Sequence, residues 1–316
     1  MKNISLSKFT DLVVQETETI TDRFVNFYHT FDTTYQEVDA LELIDEVKNK
    51  IQDDNKNVAD VHREAVWQAG WKENLDAFKE SQSVEAITPK FLRPNNPIRF
   101  DGRYILPTHP YFEREYSKLI QLFIYDNFVL GEGVKNVYEF GCGSGFNLLF
   151  LWESYKDLIP GLSLTGLDFV ESSVLLMDEL GTHYDASIKG RQFDMKKPDG
   201  DYHIAPNSCV FTACAIEQLN SKFYKFIDYL VEESPQICFH LEPIVENYDK
   251  NTLFDKLAID FHTKRGYSEG LKPYLLKLQD EEKIEVVFDK RLRVGSLFHE
   301  GYQLMVWKPS GGKNEK

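Results

Sequence analysis

Hydrophobic positions in the first third of the chain recur at helical spacing. One run is Leu41, Leu43, Ile44, Val47 and Ile51, and a second is Val61, Ala65, Val66, Ala69 and Leu75. Both follow the period of an amphipathic helix. Trp67 and Trp71 lie one turn apart within the second run. Their spacing favours packing in a core, and stacking on the ring or sugar of a ligand is the alternative.

The segment 89–110 has a different character. It contains three arginines and the prolines Pro94, Pro97, Pro107 and Pro110. Proline at this density excludes a continuous helix, so we expect an extended crossing or a loop. We therefore predict a helical N-terminal region over residues 1–105 that ends in this proline-rich crossing. A second domain is predicted over residues 106–316.

From residue 111 onward, apolar strand patterns alternate with helical patterns. Helices are predicted over 111–130, 146–155, 171–180 and 221–233, and strands over 136–140, 163–168, 188–194, 208–213 and 237–241. Such alternation is typical of right-handed strand–helix–strand crossovers, which build a parallel sheet covered by helices on both faces. The fold class predicted from the pattern is therefore α/β.

After Pro243 the alternation is interrupted. A long helical region over about 249–280 lies in an insertion of about 246–283, and two β-rich runs, 284–288 and 302–307, follow it. A long insertion before a terminal hairpin commonly covers a site at the carboxyl edge of a sheet.

Charge and composition limit the partners. The 316 residues include 36 Lys and Arg against 51 Asp and Glu, for a formal charge of −15. This balance argues against binding to nucleic acid or to anionic membranes. No apolar run approaches the roughly 20 residues of a membrane span, and residues 1–10 show no secretory signal. The four cysteines have no CxxC spacing, which favours buried free thiols over a disulfide scaffold or a zinc site. We predict a cytoplasmic protein.

The most informative stretch is a glycine loop that follows the first strand of the alternating region. Gly141, Gly143 and Gly145 are spaced as GxGxG and open directly into a predicted helix. Glycines let the backbone turn sharply and approach a ligand, and the helix N-terminus offers free N–H groups.

Two later strands end in acids. Asp168 ends the next strand, where doubly wound sheets place an acid that accepts hydrogen bonds from a ribose diol. Asp194 follows another strand beside Met195, an arrangement that suits an adenine. The alternative for both acids is that they only cap the helices that follow.

Taken together, these motifs resemble those of the class I S-adenosylmethionine-dependent methyltransferases. Residues 139–145 resemble the family's first motif, 211–219 its fourth motif, and 237–243 its fifth strand with a Glu-Pro exit. The resemblance covers about residues 111–309, except the insertion. It implies a Rossmann-like, doubly wound, seven-stranded sheet with an antiparallel C-terminal hairpin. It also implies S-adenosyl-L-methionine as cofactor, bound by Glu139, Gly141, Cys142, Gly143, Gly145, Asp168, Phe169, Asp194 and Met195.

Other functions remain open on the same sequence. A nicotinamide-dependent oxidoreductase would carry G-x-G-x-x-G, but Phe146 occupies the position of the last glycine. Glu139 and the terminal hairpin also favour methyl transfer. A non-catalytic cofactor-binding or scaffold protein and a protein methyltransferase are the further alternatives.

The acceptor side is less well defined. A hydroxyl acceptor needs a base, and His240, His262, His299 and Glu217 lie near predicted strand ends, the insertion or the hairpin. Many family members have Glu-His where this chain has Glu217-Gln218, so Gln218 receives no catalytic role. For each of these three histidines, the alternative to a catalytic role is a structural one. His240, His262 and Glu242 are a conceivable metal set, but we predict no metal.

The acceptor itself is predicted to be a small molecule. The N-terminal region, the crossing and the insertion would form a lid, which favours a sugar, natural product or metabolite hydroxyl over a polymer. Five arginines near the expected mouth suit an anionic acceptor, and pairing with surplus acids is the alternative: Arg99, Arg103, Arg265, Arg291 and Arg293. The helical N-terminal region is also a candidate surface for a homodimer.

Overall fold

The computed structural model describes residues 1–58 and 63–310. Its helices are α1 Leu6–Val13, α2 Asp22–Tyr28, α3 Ala40–Asp53, α4 Arg63–Ser81, α5 Phe112–Phe128, α6 Phe146–Tyr155, α7 Glu171–His183, α8 Phe223–Glu233, α9 Leu253–Arg265 and α10 Leu271–Asp280. Its strands are β1 Lys2–Asn3, β2 Thr34–Glu37, β3 Ile98–Phe100, β4 Arg103–Pro107, β5 Asn136–Phe140, β6 Ser163–Asp168, β7 Ile188–Gln192, β8 Ser208–Ala213, β9 Ile237–Glu242, β10 Ile284–Arg291, β11 Val294–Gly295 and β12 Gln303–Pro309.

The larger sheet has seven strands in the order β10-β12-β9-β8-β5-β6-β7. The five strands from β9 to β7 are mutually parallel, and β12 runs antiparallel to both β9 and β10. The predicted α/β class, the doubly wound sheet and the antiparallel C-terminal hairpin are confirmed. Strands β5, β6 and β8 and helix α6 have the predicted bounds.

The N-terminal region contains strands that the helical pattern did not predict. Helices α3 and α4 coincide with the two predicted runs, although Val61 lies outside the described residues. A second, five-stranded antiparallel sheet has the order β1-β2-β4-β3-β11. Its β3–β4 hairpin turns at Asp101 and Gly102, both with positive φ (49° and 81°). Asp-Gly is a strong hairpin signal, and it lies inside the segment expected to be only an extended crossing or a loop.

The insertion consists of two helices rather than one. Helix α9 ends at Gly266, a left-handed cap with φ 64°, and α10 begins after Gly270. Apolar residues of α9 pack against Val47 and its neighbours on α3, so that the N-terminal region and the insertion share one hydrophobic cluster. This cluster lies apart from the two cores that flank the large sheet.

Candidate active site

The site lies at the carboxyl edge of the large sheet, where the strand order reverses between β5 and β8. Ligands of open α/β sheets bind in the crevice at this switch point. Gly141 follows β5 and Ala215 follows β8, and they approach so closely that a Cβ on Gly141 would lie 2.5 Å from the Ala215 Cβ. Gly141 also has a φ of 76°, so this glycine is required by both space and backbone conformation.

A cavity of about 460 Å³ follows this crevice. Its walls come from the glycine loop, the ends of β6, β7 and β8, and helix α4. Among its lining residues are Gly141, Asp168, Phe169, Asp194, Met195 and Cys214. Five of the predicted cofactor residues therefore line one cavity.

Glu139 lies beneath the glycine loop and is 1% exposed. One carboxylate oxygen accepts a hydrogen bond from Asn147 Nδ2 at 2.6 Å, whereas Oε2 has no partner. Burial raises the pKa of Glu139 to about 8, and the nearby Asp168 adds to this shift. A buried carboxylate with one unsatisfied oxygen fits a cationic ligand group, which would restore its charge and complete its hydrogen bonds.

Asp168 is fixed by backbone donors. Its Oδ2 accepts from the Gly143 N–H at 3.0 Å and its Oδ1 from the Val170 N–H at 3.0 Å. Burial nevertheless raises the pKa of Asp168 to about 6. The same carboxylate lines the cavity, so capping and ligand contact are compatible here.

Asp194 and Met195 line the cavity together with Phe169. The Asp194 carboxylate accepts from the Lys196 N–H at 2.8 Å, in a local turn, while the residue remains half-buried. Phe169 is 36% exposed beside them. An acid, a methionine and a phenylalanine around one recess suit a flat heterocycle with an exocyclic amine.

Four of the predicted cofactor residues do not line the cavity: Glu139, Cys142, Gly143 and Gly145. The Cys142 thiol points into the core, where it packs over Gly166. Gly145 has a φ of 72°, and a Cβ there would lie 1.9 Å from the Met177 methyl group. The Cys142 side chain is therefore turned away from the cavity, and contact of this residue with the cofactor stays a prediction for its backbone. Gly145 is needed for packing of the loop on α7.

Helix α4 forms the roof of the cavity. Trp67 and Trp71 stack with ring centroids 5.7 Å apart, and a Cβ on Gly143 would lie 2.7 Å from the Trp71 ring. Arg63 lies over the Trp67 ring at 5.0 Å. Both indoles are half-buried and line the cavity, so their interpretation as core residues is wrong. Arg63, which the sequence analysis did not single out, lies in the same wall.

Glu217 does not line the cavity, although its neighbours Ala215 and Gln218 do. It is 6% exposed, one oxygen accepts from Gln218 Nε2 at 2.7 Å, and Oε2 has no partner. Burial and the neighbouring Glu242 raise the pKa of Glu217 to about 8. Cys214 itself has a φ of 51°, an uncommon conformation for a residue other than glycine.

His240 does not face the cavity. It is fully buried, accepts a hydrogen bond from Trp307 Nε1 at 3.0 Å and contacts the Thr212 hydroxyl at 3.0 Å. Burial lowers its pKa to about 3. Thr212 in turn lies within reach of Glu242, whose carboxylate accepts from the backbone N–H groups that follow β8. The catalytic role expected for His240 is wrong. Its buried ring contacts Thr212 and Trp307, and so supports from the core side the loop that follows β8.

His262 and His299 lie together between the insertion and the hairpin. His262 Nε2 bonds to the Ser268 carbonyl at 2.7 Å, and burial lowers its pKa. Burial lowers the pKa of His299 to about 3. Both have an Nδ1 without a partner. His262 is fully buried in α9, which removes it as a base for the cavity, whereas His299 is half-buried and stacks on Tyr267.

The five arginines expected at an anionic mouth are all paired with acids. Arg99 and Arg291 share Asp255 and Glu300, and the others pair with Glu37, Asp54 and Asp101: Arg103, Arg265 and Arg293 respectively. The first two join β3, α9 and the end of β10 in a buried network. Structural pairing, the alternative stated for these arginines, is therefore the role the structure gives them.

Within residues 1–58 and 63–310, no group of three or more His, Cys, Asp or Glu side chains has the geometry to hold a metal. No helix in this part of the chain is both long and apolar enough to cross a bilayer. Its four cysteines are free, three of them buried, and Cys214 lines the cavity.

Comparisons with known proteins concern the fold. The [4+2]-cyclase SpnF aligns with a TM-score of 0.51 at 12% identity, over 78% of this chain and 96% of that chain. Magnesium protoporphyrin IX methyltransferase from Synechocystis PCC 6803, with bound SAM, aligns with a TM-score of 0.43 at 10% identity, over 63% of this chain and 80% of that chain. Geranyl diphosphate methyltransferase in complex with SAM aligns with a TM-score of 0.45 at 9% identity, over 64% of this chain and 88% of that chain. No protein-family model and no curated protein matches the sequence.

The seven-stranded order of the large sheet agrees with the likeness to SpnF. The chain has the fold of the class I S-adenosylmethionine-dependent methyltransferases.

Proposed function

We propose that the protein binds S-adenosylmethionine and transfers its methyl group to a hydroxyl of a small molecule. The observation that carries this proposal is the unsatisfied Oε2 of Glu139, which lies buried beneath the glycine loop of a cavity that Asp168 and Asp194 line. A ligand with an ammonium group, a ribose diol and an adenine would meet these three acids in turn. The residues present therefore fit the cofactor.

Each residue has a distinct task in this proposal. Glu139 holds the ammonium group, Asp168 accepts hydrogen bonds from the ribose hydroxyls, and Asp194 with Met195 binds the adenine. When bound, the cofactor supplies a methyl group that is already activated on a sulfonium. The protein must then position the acceptor and exclude water.

In this proposal the lid excludes water from the site. Trp67 and Trp71 cover the glycine loop, and the cluster shared by α3 and α9 lies beside Tyr267 at the acceptor end. A lid over the acceptor end would favour a small molecule over a peptide, which would need an open channel. We assign the N-terminal region to this lid.

Calorimetry with S-adenosylhomocysteine and S-adenosylmethionine tests the proposal. We expect both to bind the wild-type protein. Asp168→Asn should weaken binding by at least tenfold, because the amide offers the ribose diol one acceptor oxygen instead of two and cannot carry charge. Glu132→Gln, a surface change distant from the cavity, is the matched control. Absence of binding to the wild-type protein would refute the proposal.

A second candidate is a cofactor-binding protein that transfers no methyl group. It is favoured by one likeness: a protein of the same fold, aligned over 96% of its length, is described as a [4+2]-cyclase. Consumption of the donor separates the two candidates. A protein that binds S-adenosylmethionine tightly but forms no S-adenosylhomocysteine with any acceptor would support the second.

A further inference from the structure

Arg63 lines the cavity with a charge that no ion pair neutralises. It begins helix α4, and its guanidinium lies over the Trp67 ring at 5.0 Å. Its Nη2 donates to the side-chain carbonyl oxygen of Gln218 at 3.4 Å, which is long for an N–H···O hydrogen bond, and its buried Nε–H has no partner. In the part of the chain that the structure describes, no carboxylate forms an ion pair with this guanidinium.

The titratable groups that face Arg63 leave its charge unbalanced. Asp54 is already paired with Arg265 at 2.6 Å. Burial raises the pKa of Glu217 to about 8, so this carboxyl is mostly protonated at neutral pH and adds little negative charge. Burial also raises the pKa of the Tyr267 phenol, which therefore stays neutral. Arg63 consequently retains a positive charge without a counter-ion from these neighbours.

The other charged residues of the cavity do not supply the counter-ion either. Glu64 and Lys222 are exposed, so water weakens the fields of their charges. Lys196 lies beside Asp194, and the two acids assigned to the cofactor would be used by it. Arg63 itself is half-buried, and burial lowers its pKa below the ordinary value. Arginine stays protonated even so, and an anion from outside the chain would offset the hydration that the guanidinium has lost.

The strand order locates Arg63 relative to the proposed cofactor. In the large sheet β5 lies between β8 and β6, and β7 lies outside β6. Asp168 and Asp194, at the ends of β6 and β7, lie on one side of the glycine loop, whereas Gln218, the contact of Arg63, follows β8 on the other side. Trp71, which faces the loop, lies two helical turns further along α4, a rise of roughly 12 Å. The guanidinium therefore lies on the side that the proposed function leaves for the acceptor.

We propose that Arg63 binds a carboxylate of the acceptor, so that the small molecule methylated by this protein is an anion. This proposal rests on the proposed function and narrows its substrate class to hydroxyl compounds that carry a carboxylate. A carboxylate accepts two parallel hydrogen bonds from a guanidinium, and its single charge matches that of Arg63. The five arginines predicted for this task from the sequence are paired with acids, whereas Arg63 lines the cavity without such a pair.

The first measurement determines which charge the acceptor site prefers. Protein saturated with S-adenosylhomocysteine is titrated by calorimetry with 4-hydroxybenzoate, 4-hydroxybenzamide and 4-(aminomethyl)phenol. These probes share a phenol ring and are anionic, neutral and cationic respectively. We expect 4-hydroxybenzoate to bind at least tenfold more tightly than the other two. A neutral or cationic probe that binds as tightly, or no binding of 4-hydroxybenzoate, would overturn the proposal.

Substitution of Arg63 separates recognition of the anion from a structural role. Arg63→Met should weaken binding of 4-hydroxybenzoate by about 10- to 150-fold, the value of a hydrogen bond to a charged group, with 4-hydroxybenzamide within about threefold of wild type. Arg63→Lys should restore part of the loss, since lysine keeps the charge but not the fork of donors. Arg93→Met, which removes an exposed arginine outside the cavity, is the matched control. Equal losses for both probes would indicate a structural role and contradict the proposal.

Gln218→Glu supplies the missing counter-ion and leaves Arg63 in place. The new carboxylate would occupy the position from which the Gln218 side chain now accepts a hydrogen bond from Nη2. We expect it to pair with the guanidinium and to weaken binding of 4-hydroxybenzoate at least tenfold, with 4-hydroxybenzamide within about threefold of wild type. Unchanged binding of 4-hydroxybenzoate would show that Arg63 does not hold its carboxylate.

The donor also has a carboxylate, on its methionine part, and a third measurement separates the two sources. Without acceptor present, Arg63→Met is titrated with S-adenosylhomocysteine and with 5′-methylthioadenosine, which lacks the amino-acid part. We expect both affinities to stay within about threefold of wild type. A loss of tenfold or more for S-adenosylhomocysteine alone would assign Arg63 to the donor and overturn the proposal. Failure of the wild type to bind S-adenosylhomocysteine at all would instead refute the proposed function.

Discussion

Binding of the cofactor should release a proton from Glu139. In the free protein its pKa of about 8 keeps the carboxyl mostly protonated at neutral pH, whereas a bound ammonium group would require the ionised form. The affinity must therefore rise with pH up to about 8, because the competent fraction of the protein rises. At pH 7 binding should release about 0.9 proton from this site.

The magnitude follows from the pKa. The ionised fraction of Glu139 rises from about 3% at pH 6.5 to about 24% at pH 7.5, which predicts an affinity gain of about eightfold. Loss of the ligand's own amine proton, with a pKa near 7.8, reduces the gain to about fivefold. Asp168, with a pKa of about 6, adds little because about three quarters of it is already ionised at pH 6.5.

Calorimetry of S-adenosylhomocysteine in buffers of different ionisation enthalpy measures both quantities. Glu139→Gln should remove the proton release and flatten the pH dependence. It should also weaken binding at pH 7.5 by about 10- to 150-fold, the value of a hydrogen bond to a charged group. Glu132→Gln should behave as wild type. Proton release that survives in Glu139→Gln, or affinity that falls between pH 6.5 and 7.5 in the wild type, would refute the assignment of Glu139.

Three further changes address stability. Gly145→Ala should lower the free energy of unfolding by about 2–5 kcal/mol, since it adds overpacking against Met177 to a left-handed backbone; urea denaturation measures this. Asp255→Asn should cost about 3–5 kcal/mol by the same assay, because it leaves the buried Arg99 and the half-buried Arg291 short of a counter-charge. His240→Ala should destabilise the fold yet retain donor affinity within a few-fold by calorimetry. Because the pKa of folded His240 is about 3, the unfolded chain alone binds this proton below pH 6.5, so the variant should lose less stability between pH 6.5 and 4.

The cofactor half of the site was accessible from the sequence because its signals are local. A glycine loop between a strand and a helix, and acids at the ends of the next strands, lie at spacings fixed by the crossovers of a parallel sheet. Period-2 and period-3.6 patterns located those elements, so Gly141, Asp168 and Asp194 were predicted before their common cavity was known. The Asp-Gly turn at residues 101–102 was an equally local signal for the second sheet, and it was overlooked.

The acceptor half depended on contacts between distant segments. His240 has the residue type of a base, but only the pairing of β9 with β12 brings Trp307 against its ring. Glu217 and Glu242 lie 25 positions apart, and only the pairing of β8 with β9 brings them together. Their burial, which raises the pKa of both carboxyl groups, exists only in the folded protein.

The sequence by itself determined the sheet, the glycine loop and the order of the acids along the proposed cofactor, because each follows from spacing within one strand–helix unit. Only the tertiary structure decided that Trp67 and Trp71 cover the loop, that the five arginines are already paired, and that Trp307 donates to His240. Those facts depend on how the N-terminal region, the insertion and the hairpin pack together. Contacts between side chains of distant segments produce no periodic pattern in the sequence.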